Sequence, residues 1–167
     1  MNNIFLIGFM GCGKSTVSAY MAKEYGMDVV EMDEEIVRRE KMRIPEIFEC
    51  KGETFFRDAE SKLLQELEKQ DNKVVSCGGG AILRKENVEL MKKSGAIVFL
   101  TAEPETILER VKDDDNRPLL KGNKNIEYIK ELLEKRYPQY EIAADLVIKT
   151  DKKEVKDICK EILEYRR

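Results

Sequence analysis

At 167 residues the chain has the length of a single domain, 1–167, able to bury a core without disulfides or a structural metal. Its residues are 42% apolar and 38% charged, a globular composition, and 30 basic against 33 acidic side chains leave a net charge of −3. That balance provides no broad basic face for nucleic acid or an anionic membrane, so an anionic ligand has to be held by a local cluster. The expected partner is a small molecule, with no nucleic acid, no membrane and a monomeric chain.

No apolar run approaches the roughly 20 residues of a membrane span. The opening MNNIFLIG enters a strand-like run without the basic start and cleavage site of a signal peptide. Four cysteines (Cys12, Cys50, Cys77, Cys159) are widely scattered, which fits a reducing cytoplasm. There is no C-x-x-C pair and no histidine, so zinc of the usual kind is not expected. A general base near neutral pH must then be a carboxylate, a lysine or a cysteine.

Five short β-branched or apolar runs read as strands: 3–7 (NIFLI), 28–32 (DVVEM), 73–77 (KVVSC), 96–101 (AIVFLT) and 145–149 (DLVIK). Helical patterns occupy 15–25, 34–41, 53–70, 86–93, 104–112, 125–142 and 152–165. The alternation predicts a three-layer α/β/α domain on a parallel sheet. The polar stretch 112–125, KDDDNRPLLKGNKN, reads as a mobile surface segment between two helices.

Directly after the first strand comes GFMGCGKS, residues 8–15, a full G-x-x-x-x-G-K-S/T followed by a helical run. The P-loop region is taken as 8–16. Its glycines let the backbone wrap closely, so that N–H groups around Gly11, Cys12 and Gly13 face phosphate oxygens, and the helix at Ser15-Thr16 adds its positive end. Lys14 has the reach for the β- and γ-phosphates, and the Ser15 hydroxyl is a ligand for Mg²⁺. The motif predicts ATP and Mg²⁺ but leaves the reaction open.

The second strand ends in Glu31-Met32-Asp33, where ligands of open parallel sheets bind. Asp33 can accept the proton of an attacking hydroxyl, and Glu31 can face Mg²⁺ through water. Taken alone, Asp33 reads first as a cap of the helix that follows, and Glu31 has the alternative reading of a surface ion pair. Gly78-Gly79-Gly80 follows the third strand; it allows close approach of backbone to ligand or makes a flexible turn. In the late helix Ile129, Leu132, Leu133, Arg136 and Tyr140 share one face, so Arg136 lies in an apolar stripe and needs an anionic partner. Arg57 stands beside Phe56 at the edge of a second stripe. Two arginines on one pocket suit a carboxylate, while each alone reads as an internal ion pair. Arg117, in R-P-L-L, is either a transition-state arginine on a lid or a solvated loop residue.

Taken together, the P-loop, the acidic strand end, F-R, G-G-G, R-P-L-L and the late arginine resemble the shikimate kinase family along nearly the whole chain. The resemblance implies the P-loop fold of nucleoside monophosphate kinases, with a five-stranded parallel sheet in the order 2-3-1-4-5. It implies transfer of the ATP γ-phosphate to the 3-hydroxyl of shikimate, a step toward chorismate and the aromatic amino acids. By position, Asp33 would bind the ring hydroxyls and orient or deprotonate the acceptor. Arg57 and Arg136 would hold the carboxylate, Gly79 and Gly80 would contact the substrate through backbone, and Phe48 and Phe56 would flank its ring. The acceptor region would span about 33–61, and 112–125 would be the lid that carries Arg117. Arg110 would lie against adenine. The family usually has Asp-x-Asp where this chain has Glu31-Met32-Asp33. A gluconate kinase, a nucleoside monophosphate kinase and a non-catalytic nucleotide-binding module are the competing readings. A nucleotide acceptor does not need two arginines for one small carboxylate, and a non-catalytic module has no need of Asp33 and Arg117.

Overall fold

The computed structural model describes residues 2–111 and 126–166. The expected lid, with Arg117, lies outside the described residues. Strands β1 (Asn3–Ile7), β2 (Asp28–Glu31), β3 (Lys73–Ser76), β4 (Gly95–Thr101) and β5 (Leu146–Lys149) form one parallel sheet in the order β2-β3-β1-β4-β5. Helices α1 (Lys14–Tyr25), α2 (Met32–Glu40), α3 (Ile44–Leu67), α4 (Lys85–Ser94), α5 (Pro104–Val111), α6 (Ile126–Ala143) and α7 (Val155–Arg166) connect and flank them. This is the layered α/β arrangement on a parallel sheet that the strand–helix alternation predicts, with the strand order that the resemblance implies.

Successive residues of a strand point to opposite faces, so continuous apolar strands supply two cores at once. Phe5 and Ile7 join Val75, Ile97 and Phe99 under α2, α3 and α6. Ile4 and Leu6 join Val74, Val98 and Leu100 under α1 and α7. The three central strands are buried along both faces. The edge strands β2 and β5 are not, and Val29 and Val147 reach solvent.

Two local features depart from the sequence reading. The helix expected at 53–70 begins earlier, at Ile44, and breaks at Gly52 (φ 86°, ψ 165°), a conformation open to glycine but costly for other residues. Its first half carries Phe48 and its second half Phe56 and Arg57. Helix α2 opens at Met32, not after Asp33. Glu31 stands in the cap position without a capping side-chain bond, and Asp33 lies inside the first turn. The helix-cap reading of Asp33 is therefore corrected: its backbone is already helical, and its side chain faces the glycine run beyond β3.

Candidate active site

The C-terminal ends of β1, β2 and β3 open on a single cavity of about 670 Å³. Gly11, Gly13, Lys14, Ser15 and Thr16 line one end. Asp33, Phe48, Phe56, Arg57, Gly78, Gly79, Gly80 and Arg136 line the other, and Glu31 and Arg110 also face it. The fold thus gathers residues separated by more than a hundred positions in the chain.

The P-loop owes its shape to backbone that only glycine adopts cheaply. Gly8, Gly11 and Gly13 all have positive φ, and a β-carbon on Gly8 would strike the Leu100 carbonyl. The Lys14 ammonium donates to the carbonyls of Gly8 (2.7 Å) and Phe9 (3.2 Å), which folds the lysine back over the loop. Cys12 differs from its neighbours. Its thiol is buried, its N–H donates to the Phe9 carbonyl at 3.2 Å, and it does not line the cavity. Arg110 donates to the Gly11 carbonyl at 2.8 Å, and so sits against the P-loop. Thr150 completes this corner by donating to the Cys12 carbonyl at 3.0 Å.

Among the described residues Glu31 forms no ion pair. Its carboxylate accepts from the Ser15 hydroxyl at 3.3 Å and the Ser18 hydroxyl at 3.0 Å. The extra methylene of glutamate carries the oxygens from the strand end onto α1. The result is an oxygen cluster of hydroxyl and carboxylate beside the P-loop, the hard donor set that Mg²⁺ prefers. Among the described residues no group of three or more Cys, Asp or Glu side chains forms a metal cage. Mg²⁺ in phosphoryl-transfer sites needs none, because phosphates and water supply most of its ligands.

The acceptor end is built on the glycine run. None of Gly78, Gly79 and Gly80 has positive φ, so the run does not serve an unusual turn. It makes room for charge. A β-carbon on Gly78 would stand 2.8 Å from Asp33 Oδ1 and 2.9 Å from Glu60 Oε2. One on Gly79 would stand 3.1 Å from the Arg136 guanidinium, and one on Gly80 would overlap the Arg57 guanidinium. The run does form a turn, closed by the Ala81 N–H donating to the Gly78 carbonyl at 3.1 Å, and each glycine clears a different ionic side chain.

Arg57 is in an internal ion pair and also faces the cavity. Its guanidinium donates to Glu60 at 2.7 Å, lies 3.5 Å from Glu53, and still lines the cavity. It also lies 5.4 Å from the Phe56 ring centre, and Phe56 meets Phe48 edge-on at 5.0 Å. Glu60 was not singled out in the sequence, although its i,i+3 spacing from Arg57 is a legible signal. The Glu60 side chain is wholly buried, and its Oε2 has no hydrogen-bond partner among the described residues. Burial pushes the carboxyl up to about 7, against the opposing pull of Arg57. Arg84 supports this wall from behind, bridging to Asp58 at 2.8 Å and donating to the Ser61 hydroxyl at 3.3 Å. Cys77 packs in the core, where burial raises its thiol far above the ordinary range. It is therefore no candidate for a base.

The family model described as shikimate kinase matches residues 10–166. The shikimate kinase of Caldicellulosiruptor saccharolyticus is 44% identical over 151 residues, covering 90% of this chain and 87% of that protein. The solved structure of the Acinetobacter baumannii shikimate kinase in complex with shikimate aligns with a TM-score of 0.91 at 37% identity, over 98% of this chain and 92% of that one. A gluconokinase from Sinorhizobium meliloti aligns over 98% of this chain and 90% of that one, with a TM-score of 0.61 and 20% identity, a likeness of fold alone. By a match that runs from the P-loop through the last helix, the chain belongs to the shikimate kinase family.

Proposed function

We propose that the chain transfers the γ-phosphate of ATP to the 3-hydroxyl of shikimate, giving shikimate 3-phosphate and ADP, within aromatic amino acid biosynthesis. One observation carries this reading. The P-loop and two arginines suited to a carboxylate open on the same cavity, which Asp33 also lines. Phosphoryl transfer needs little covalent chemistry from the protein. It needs donor and acceptor held in line, and the developing charge met by fixed donors.

In this reading Lys14 and the backbone N–H groups at Gly11 and Gly13 hold the phosphates, and Arg110 lies against the base. Ser15 would be a direct ligand of Mg²⁺ and Glu31 a ligand through water, and the ion would supply positive charge against the phosphates. Arg57 and Arg136 grip the carboxylate of the acceptor, whose ring lies between Phe48, Phe56 and the glycine run. This leaves a hydroxyl facing Asp33, which orients it and accepts its proton. Arg117 is proposed to close over the transferring phosphate as part of a lid. Among the described residues no helix is long and apolar enough to cross a membrane. With a polar metabolite as acceptor and free cysteines, we place the enzyme in the cytoplasm, as a monomer.

The test is ADP release on a panel of shikimate, gluconate, AMP and CMP. Turnover is expected with shikimate alone, and EDTA should abolish it. Turnover of gluconate but not shikimate would replace the acceptor and leave the fold and the P-loop chemistry intact.

A further inference from the structure

The position of Arg136 is set by a residue outside the acceptor-binding set. Tyr140 follows Arg136 by four residues on α6, so the two side chains lie on one face. Tyr140 is buried, with 1% of its surface exposed, and its ring packs on Phe99 with centroids 5.1 Å apart. Its hydroxyl donates to the Gly79 carbonyl at 2.6 Å, and the nearby Arg136 guanidinium pulls against the upward shift that burial gives the same hydroxyl. A β-carbon at Gly79 would lie 3.1 Å from Arg136 and 3.4 Å from the Tyr140 hydroxyl, so all three groups meet at one point of the cavity wall.

The helix alone does not fix this meeting. Pro138 lies between the two residues, removes one backbone donor and weakens the helical ladder at this turn. The tyrosine restores a fixed point by tying the helix to the backbone that follows β3. Burial pushes its hydroxyl up to about 12, so it keeps its proton and stays a donor through the physiological range.

We infer that Tyr140 is a positioning residue: through its bond to Gly79 it sets where the Arg136 guanidinium stands relative to Arg57, and so sets the spacing of the two arginines for a small carboxylate. The inference rests on Arg136 as a carboxylate-binding residue. Spacing matters because a bidentate arginine contact depends on geometry as well as charge.

The test is steady-state kinetics of Tyr140→Phe, Arg136→Lys and the double variant, with shikimate and ATP varied in turn. Phenylalanine keeps the ring against Phe99 and removes only the hydroxyl. Tyr140→Phe should raise the KM for shikimate about tenfold, with the KM for ATP unchanged. The double variant should be no worse than Arg136→Lys, because the tyrosine acts through the arginine. A lowered melting temperature with an unchanged shikimate KM would overturn the inference and make the bond purely structural. Multiplicative effects in the double variant would overturn it too. If Arg136→Lys itself leaves the shikimate KM unchanged, the carboxylate-binding role of Arg136 falls, a result separate from any effect of Tyr140→Phe on its own.

Discussion

The Glu31 carboxylate accepts a hydrogen bond from the Ser15 hydroxyl at 3.3 Å, which couples the end of β2 to the first turn of the P-loop helix. Ser18 holds the other carboxylate oxygen at 3.0 Å. Where the family usually has aspartate, the longer side chain reaches across to α1. Glu31→Asp should therefore keep activity within about tenfold, equivalent to roughly 1.4 kcal/mol of barrier. Glu31→Gln removes the charge facing the metal and should raise the Mg²⁺ concentration needed for half-maximal rate. A Mg²⁺ titration of both proteins checks this, and superimposable curves would remove Glu31 from the metal site.

Asp33 lies within the first turn of α2 and faces the glycine run, so its replacement does not remove a helix cap. Asp33→Asn keeps the shape and deletes the proposed base. The expected loss is in kcat, by roughly 10²-fold or more, with a small change in the KM for ATP. Rapid-quench measurement of the chemical step distinguishes this from slower product release. A normal chemical rate would return Asp33 to an orienting role.

The glycines make opposite predictions at different places. At Gly80 a methyl group meets the far end of the Arg57 side chain, which can move aside. Gly80→Ala should cost little stability and should raise the KM for shikimate at least tenfold by displacing the guanidinium. At Gly95 a methyl group meets the Asn3 backbone, paired with it across β1 and β4, and backbone cannot yield so easily. Gly95→Ala should destabilise the fold by about 1–3 kcal/mol and leave the kinetic constants of the surviving enzyme unchanged. Thermal melts alongside kinetics on both variants test the contrast.

Glu60 gives a pH signature. Its carboxyl stands at about 7 in the folded protein, above its ordinary 4.5. Between those values the folded state holds a proton that the unfolded state releases, so this group's contribution to stability falls as pH rises through the window. The carboxyls of Glu35 (about 2), Glu66, Asp71 and Asp151 are shifted downward and act below it. Glu60→Gln has no proton to lose. Compared with this variant, the wild type should lose on the order of 1–3 kcal/mol between pH 5 and pH 8. Urea melts at the two pH values measure the difference, and equal slopes would mean that Glu60 is ionised throughout.

Much of this protein was legible in order along the chain. The P-loop is a local device: its glycines, lysine and serine act within eight consecutive residues, so spacing alone identifies it. The central strands were legible because burial on both faces demands continuous apolar runs, and the late helix because Ile129, Leu132, Leu133, Arg136 and Tyr140 obey the helical period. Local backbone geometry was less legible. The break at Gly52 and the start of α2 at Met32 depend on how the segments pack, which the pattern of residue types does not encode.

What the tertiary structure alone decided is which charges share a wall. In sequence, Arg57 taken alone read as an ion pair, and folding adds a second setting, because Glu60 is buried beneath it while its guanidinium also lines the cavity. The triple glycine read as a turn or a ligand platform, and only the approach of Arg57, Arg136, Asp33 and Glu60 from three helices shows that its missing side chains make room for theirs. Helix periodicity marked Tyr140 as a core residue, yet the Gly79 carbonyl it bonds lies 61 positions away. A sequence records each residue's own preferences. Contacts between distant segments depend on sheet order and helix placement, and these become definite only when the chain has folded.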